Sequence, residues 1–303
     1  MSLIRRLIQQ QASLVLEKPN HAFILIILFS GLPVLNWIAL VTIGLVGLRQ
    51  GLQSSAVLTV LAILTATIAN VLIVGFHPYE IFVLIQQFIP VLLAASILKT
   101  TARWPVVILF LMGLYLLFSL CCLYFFSPII QALIVQIQAS LQPYLTQPSV
   151  VQVLNQPDLM KYVLIGVESA CLFLTCIFVL MTARYLQSVL FYPEGFIPEV
   201  IHFESSSLFV PLLIVLIMLL QNHHYWPWLL LPTLSLYYVL DAISLVLYFS
   251  PEKKLILIFT LLLTLVSFLP NILYPVTVIV GMMDSFIHVR KRFPKKQTGA
   301  PLF

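Results

Sequence analysis

Six long apolar runs, separated by short polar links, constrain what this chain can fold into more than any other feature. The runs cover residues 53–76, 81–98, 105–127, 162–183, 207–222 and 228–249. Each is close to the ~20 residues that an α-helix needs to cross the hydrocarbon core of a bilayer. Charged residues make up only 8% of the chain, whereas soluble domains need ~25% to cover their surface. The sequence therefore predicts an all-α, polytopic transmembrane helix bundle.

Two further apolar runs, 22–48 and 255–289, contain helix-breaking residues. The interruptions are Gly31, Pro33 and Asn36 in the first run, and Pro270, Asn271 and Pro275 in the second. Each run forms either one bent helix or a tight helical hairpin. If both are hairpins, every lysine and arginine except Lys161 lies on one side of the membrane. Because these residues favour the cytoplasmic side, we predict two hairpins, about 8 to 10 membrane segments and both termini in the cytoplasm.

The composition of the remaining segments predicts their type and their side of the membrane. Residues 1–21 are predicted to form a cytoplasmic amphipathic segment, residues 22–289 a single transmembrane helical domain, and residues 290–303 a basic cytoplasmic tail. Residues 128–160 carry apolar side chains at helical spacing, which predicts an external amphipathic segment. The longest cytoplasmic loop, about 184–206, is too short to bury its own core. Any function is therefore expected in the bundle or at its rims.

Two carboxylates lie within predicted spanning segments, where a charged group is costly and is a candidate functional residue. Tyr237 and Tyr238 precede Asp241 by four and three residues, so they lie on its side of the helix. Glu168 lies nearer the outer end of its helix, within reach of water. Asp241 is either a binding or proton-coupling group, or a carboxylate that such partners satisfy and that holds helices together. The alternative for Glu168 is a partly hydrated carboxylate at the rim.

Four amide side chains complete the predicted substrate-binding set. Gln86 and Gln87 precede Pro90, which leaves a carbonyl that a ligand or a neighbouring helix must satisfy. Asn36 and Asn271 lie beside the two helix breaks, and transporters use such breaks to hold substrates. The alternative is that the glutamines serve packing and the asparagines cap half-helices.

The last predicted segment ends in a mixed-charge cytoplasmic patch of Asp284, Arg290 and Arg292, which can also be a topological anchor. The sequence contains no HExxH, GxSxG, Walker or dinucleotide motif, which predicts that the protein is not an enzyme. The four cysteines lie in apolar runs without zinc spacing, so no metal and no cofactor are predicted. The basic residues lie at segment ends, which predicts no nucleic-acid partner.

Four stretches, in the order of the chain, match motifs of a known family. They are GLRQGL at residues 47–52, FIPVLLAASILK at 88–99, ARYLQ at 183–187 with YPEGF at 192–196, and GMMDS at 281–285 followed by Arg290 and Arg292. In these stretches the chain resembles the YybS-like family of uncharacterised bacterial inner-membrane proteins. It departs from the family at Glu194, where a second glycine is expected, and at Leu186, where a second aromatic residue is expected.

The resemblance implies a multi-pass protein of the bacterial cytoplasmic membrane. The family is itself distantly similar to the substrate-binding membrane subunits of energy-coupling-factor vitamin transporters. We therefore predict a protein that binds or transports a small molecule through Asp241, Glu168 and the broken hairpins, with a separate ATPase supplying energy. The competing prediction is a non-transporting scaffold that docks envelope or division machinery. In both cases the lipid bilayer is a partner.

Overall fold

Every regular element in the described part of the chain is helical, which confirms the all-α prediction. The computed structural model describes residues 3–32, 34–73, 75–141, 156–192, 195–222, 224–250 and 270–293. The side chains of residues 3–8, Leu141, Pro270 and Asn271 lie outside that description.

The helices follow the apolar runs closely. They are α1 (Leu3–Glu17), α2 (Pro19–Ser30), α3 (Asn36–Arg49), α4 (Leu52–Ile73), α5 (Pro78–Thr101), α6 (Trp104–Phe125), α7 (Ser127–Leu141), α8 (Pro157–Phe191), α9 (Phe196–Ile201), α10 (Phe209–Gln221), a 3-10 turn (Trp226–Leu229), α11 (Leu231–Phe249), α12 (Pro270–Ile287) and α13 (Val289–Arg292). Pro19, Pro78 and Pro157 are the first residues of their helices, where the N–H that proline lacks has no partner within the helix.

Among the described residues, five helices are long and apolar enough to cross a bilayer: α4, α5, α6, α8 and α11. The number rises to six if α1 and α2, which are bent by 113° relative to each other, count as one broken span. The prediction that several helices are compatible with a membrane is therefore confirmed, with five or six candidate spans among the described residues. The count of 8 to 10 segments and the cytoplasmic termini stay predictions.

The run 22–48 is broken where its sequence predicts a break. It contains α2 and α3, of 12 and 14 residues, which are about 18 and 21 Å long at ~1.5 Å per residue. These two helices pack against each other and against α4, as the halves of a hairpin do. Neither reaches the ~30 Å thickness of the hydrocarbon core. In the run 255–289, residues 255–269 lie outside the described residues, and Pro275, one of its predicted interruptions, lies inside the continuous helix α12.

The chain forms two compact units. Unit 1 comprises Met1–Phe196 with Tyr225–Leu230, and α3, α5 and α8 pack together within it. Glycines allow these helices to approach closely: a Cβ on Gly44 would lie 3.2 Å from the Cβ of Ala183, and one on Gly47 would lie 3.0 Å from that of Ala95. Small residues at such contacts are typical of helix packing in membranes.

Two predicted non-spanning segments contain helices in their described residues. Helix α7 covers the first half of the external segment 128–160, and Ile130 and Ile134 are buried against Cys122, Ile165 and Leu229. Residues 142–155 of that segment lie outside the described residues. Helix α8 has 35 residues, about 52 Å. It therefore extends well into the loop predicted over 184–206, which also contains α9.

Unit 2 comprises Ile197–His224 with Leu231–Phe303. Within it, α11 packs along α12 and against α10. The α11–α12 contact is close because Gly281 has no side chain: a Cβ there would lie 2.0 Å from the main-chain oxygen of Tyr238. This packing positions Asp241 of α11 beside the end of α12.

Candidate functional site

Asp241 lies near the middle of α11 and is completely buried. The hydroxyl of Ser205 donates a 2.6 Å hydrogen bond to its Oδ2. The Nη2 atom of Arg290 donates to its Oδ1 at 3.0 Å and to its main-chain oxygen at 3.2 Å. Both carboxylate oxygens of Asp241 therefore have a donor from another segment.

Asp284 and Arg290 are brought to Asp241 by a turn at the end of α12. The N–H of His288 donates to the main-chain oxygen of Asp284 at 2.8 Å, and His288 has a left-handed backbone with φ 50°. This turn directs Arg290 into unit 2, where it is only 5% exposed. We call Asp241, Asp284 and Arg290 the ion cluster. The structure thus joins a predicted substrate-binding residue to two residues of the predicted patch, while Arg292 is exposed.

The loop between α9 and α10 is hydrogen-bonded to the ion cluster and to the two tyrosines beside it. The Nη1 atom of Arg290 donates to the main-chain oxygen of Phe203. The N–H of Ser206 donates to the Tyr237 hydroxyl at 2.6 Å, and the Tyr238 hydroxyl donates to the Ser206 oxygen at 3.1 Å. Tyr237 and Tyr238 therefore bind this loop and not Asp241.

The ion cluster has more negative than positive charge. Its two carboxylates face one guanidinium, because Arg290 Nη2 also lies 3.3 Å from Asp284 Oδ2. The other oxygen of Asp284, Oδ1, accepts a 3.0 Å hydrogen bond from the Val289 N–H. Asp284 Oδ2 and Arg290 Nε are buried without a hydrogen-bond partner. The formal charge of the three side chains is therefore one negative.

Three side chains that are more exposed than those of the ion cluster lie next to its contacts in the sequence, and we call them the rim. Glu204 Oε2 lies 3.9 Å from His288 Nδ1 and 3.9 Å from Lys291 Nζ. Glu204 directly precedes Ser205. His288 lies two residues before Arg290, and Lys291 directly follows Arg290. The residues next in sequence to the cluster's contacts are therefore at least partly exposed at the surface of unit 2.

Glu168 belongs to unit 1 and has a different partner. The Tyr79 hydroxyl lies 3.0 and 2.9 Å from its two carboxylate oxygens. The ring of Tyr79 in turn packs edge-on against Phe126, with the centroids 5.5 Å apart. Glu168 is half-buried, and the Tyr79 hydroxyl donates to its carboxylate. Tyr79 was not predicted as a site residue.

The hydroxyl of Tyr79 should matter for stability, and Tyr79→Phe removes it without changing the ring. We expect the free energy of unfolding to fall by about 1–3 kcal/mol, because a partly buried carboxylate loses its donor. Thermal unfolding of the purified protein in detergent measures the loss. Tyr124→Phe is the matched control, since Tyr124 is 84% exposed. Equal melting of the two variants would mean that the Tyr79–Glu168 contact contributes nothing.

The amide residues of unit 1 form two separate contacts. Asn36 Nδ2 donates to Gln87 Oε1 at 2.9 Å, joining the start of α3 to α5. Pro90 leaves the main-chain oxygen of Gln86 without its helical donor. The Tyr115 hydroxyl lies 3.3 Å from that oxygen and 3.1 Å from the main-chain oxygen of Leu172, so its single hydrogen is shared between the two. A neighbouring helix therefore satisfies the freed carbonyl, which was one of the two predicted outcomes.

Two polar atoms near these contacts are buried and unpartnered: Oε1 of Gln86 and Oδ1 of Asn36. Unit 1 also has a pocket of about 10 Å³, room for roughly one water molecule, lined by Thr67, Asn70, Val71, Phe76, His77, Glu80, Ile81 and Leu84. None of the predicted site residues lines it.

The predicted substrate-binding residues fall into two groups. Asp241, Tyr237 and Tyr238 belong to unit 2, whereas Glu168, Gln86, Gln87 and Asn36 belong to unit 1. The side chain of Asn271 lies outside the described residues. Sequence reasoning missed Ser205 and Phe203, because a short loop without a motif gives no signal of what it contacts.

No family model, curated protein or solved structure matches the chain. The YybS-like resemblance therefore stays a prediction, and the function must be argued from the two groups of polar residues themselves.

Proposed function

We propose that this chain is a multi-pass membrane protein that binds or moves a small molecule, with the ion cluster of unit 2 as its charged site. The observation that carries the proposal is the excess carboxylate of that cluster. Asp241 and Asp284 are both buried, and Arg290 is the cation that contacts them. Ionisable groups in membrane helices are associated with substrate and ion pathways.

A purely structural role does not account for the second carboxylate. A buried ion pair holds helices together when its charges are matched, and an unmatched buried charge is destabilising. Ser205 and Arg290 already provide donors for both oxygens of Asp241. Asp284 adds a second negative charge to the same guanidinium. We take this excess negative charge as a sign that the site binds and releases a charged group during its function.

The rest of the proposal follows from the distribution of charges along the sequence. We place the protein in a bacterial cytoplasmic membrane, with 8 to 10 membrane segments and both termini in the cytoplasm. The concentration of lysine and arginine at alternate segment ends supports this orientation. A separate ATPase is the proposed partner, since no nucleotide-binding motif occurs in the sequence.

The test is purification of the full chain in mild detergent, followed by mass spectrometry of the small molecules and subunits that remain bound. We expect an enriched small molecule that is lost from Asp241→Asn, because the substitution removes the charge that faces Arg290. Asp158→Asn is the matched control, as Asp158 is an exposed carboxylate of unit 1. A co-purifying ATPase would support transport.

A non-transporting scaffold is the second candidate, and one observation favours it. Both oxygens of Asp241 are occupied, and Tyr237 and Tyr238 fasten the loop beside it. Such an arrangement also suits a fixed docking platform. The scaffold is supported if envelope or division proteins co-purify equally with the wild type and with Asp241→Asn, and if no small molecule is enriched with either protein. The prediction that the chain is not an enzyme stays a prediction.

A further inference from the structure

We propose that the ends of α3 and α5 form a binding site for the phosphate of an anionic phospholipid, built from the Arg49 guanidinium and the Lys99 ammonium. The site goes beyond the proposed function, because it belongs to unit 1 and shares no residue with the ion cluster. Its ligand is the headgroup of a lipid in the surrounding bilayer.

The Lys99 ammonium is held at the turn between α3 and α4. Its Nζ donates to the main-chain oxygen of Arg49 at 3.1 Å. Gly51 lies in that turn with φ 106°, and a Cβ on it would lie 3.0 Å from Nζ, so the glycine leaves room for the ammonium. An ammonium group has three N–H donors, and among the described residues this one uses a single donor. Lys99 is exposed, so its other two donors can reach a ligand.

The Arg49 guanidinium is held by an aromatic ring. Its Cζ lies 4.3 Å from the centroid of the Phe191 ring, at the end of α8. The quadrupole of the ring attracts the cation, but the contact occupies no conventional hydrogen-bond acceptor. Among the described residues, none accepts a hydrogen bond from this guanidinium. Its N–H groups are therefore available, and two parallel N–H groups match two oxygens of a phosphate.

The positive charge at this end of unit 1 is not balanced by carboxylates. Within the described part of the chain, neither Arg49 nor Lys99 makes an ion pair. Arg103 adds a third exposed cation four residues after Lys99, in the turn between α5 and α6. The hydrogen bond between Lys99 and Arg49 brings together two of the sequence stretches described above, GLRQGL and FIPVLLAASILK. An anion would compensate the excess positive charge where they meet.

Apolar side chains beside the cations favour a lipid over a soluble anion. Leu52 and Val57 of α4 are exposed, as is Val106 near the start of α6. Both helices are long and apolar enough to cross a bilayer. A phospholipid offers a phosphate to the cations and acyl chains to these apolar side chains, and basic groups at the ends of membrane helices recognise anionic headgroups in this way.

Native mass spectrometry of the delipidated full chain in a non-ionic detergent tests the proposal. The chain is titrated with phosphatidylglycerol and, separately, with phosphatidylcholine, whose headgroup has no net charge. We expect one phosphatidylglycerol to be retained in preference to phosphatidylcholine. Arg49→Gln and Lys99→Gln should each lower its affinity about fivefold. Arg292→Gln, which removes an exposed arginine of unit 2, should leave the affinity unchanged.

Phe191→Leu distinguishes a built site from a diffuse attraction between charges. It keeps every charge but removes the ring that holds Arg49, so we expect the affinity for phosphatidylglycerol to fall about threefold. Arg49→Lys should also lower it, because an ammonium lacks the planar pair of donors. Phe178→Leu is the matched control, since Phe178 is an exposed aromatic residue of the same helix, and it should have no effect.

The proposal is overturned if the chain retains phosphatidylglycerol and phosphatidylcholine equally, or if Arg49→Gln binds phosphatidylglycerol as the wild type does. Wild-type affinity in both Arg49→Lys and Phe191→Leu would also overturn it, because the attraction would then need no defined site. Displacement of the lipid by an equal concentration of inorganic phosphate would replace the lipid with a free anion. An acidic protein that co-purifies with the wild type and is lost from Arg49→Gln would replace it with a protein partner. None of these results bears on the small molecule proposed for the ion cluster.

Discussion

Arg290→Met is expected to destabilise the protein by about 3–5 kcal/mol, because it leaves Asp241 and Asp284 buried without a cation. The loss is large against the 5–15 kcal/mol that typically separates a folded protein from its unfolded state. The guanidinium also supplies the donor for the main-chain oxygen of Phe203, so the loop over the ion cluster loses one of its anchors. Thermal unfolding and size-exclusion profiles in detergent measure the effect.

Two further variants make this result specific. Arg292→Met removes an exposed arginine from the same short helix, α13, and should change stability by no more than about 0.5 kcal/mol. The triple variant Asp241→Asn, Asp284→Asn, Arg290→Met removes all three charges, and should recover part of the loss because no charge then remains uncompensated. If Arg290→Met and Arg292→Met unfold at the same temperature, the ion cluster does not hold unit 2 together.

Gly281→Ala is expected to have the second largest effect. The added Cβ would lie 2.0 Å from the main-chain oxygen of Tyr238 and 2.8 Å from its carbonyl carbon. Both are backbone atoms, so no side chain can turn away, and α12 must move from α11. Overpacking of this kind costs about 1–3 kcal/mol or more. We expect a lower unfolding temperature, and a change in the environment of Asp241 in the same unit.

Gly113→Ala is the matched control for that substitution. Gly113 also lies inside a helix, but a Cβ there has no neighbouring atom within 4 Å. Replacing an unconstrained helical glycine with alanine usually stabilises by about 0.5–1 kcal/mol. The two variants should therefore shift the unfolding temperature in opposite directions. A fall for both would point to a general intolerance of the helices to alanine, and a rise for both would contradict the close α11–α12 contact.

The sequence predicts the helices of this protein well, because apolar length and proline position are local signals. The break at Gly31 lies between α2 and α3, and the carbonyl that Pro90 leaves unpaired does have a partner from a neighbouring helix. The apolar spacing in 128–160 predicts the buried face of α7. The break and the apolar spacing depend on residues within a few turns of one another, whereas the partner of the freed carbonyl, Tyr115, lies 29 residues from Gln86.

The site is harder to predict, because its contacts join distant parts of the sequence. Tyr79 and Glu168 are 89 residues apart, and Asp241 and Arg290 are 49 apart. Arg290 follows the last apolar run directly, which is the usual position of a membrane anchor on the surface. Only the left-handed turn at His288 directs it inward, and a histidine in that conformation has no sequence signature. The sequence therefore assigned Asp241 and Arg290 to different sites.

The distance between Asp241 and Arg290 along the chain has a consequence for biosynthesis. The 49 residues between them take about 2–10 s to synthesise at ~5–20 residues per second. During that time α11, one of the candidate spans, carries an aspartate whose cation has not yet been made, and a central aspartate costs ~2.5–3.5 kcal/mol to insert. Until the ribosome has passed Arg290, the Ser205 hydroxyl and the apolar residues around Asp241, all made earlier, must offset that cost.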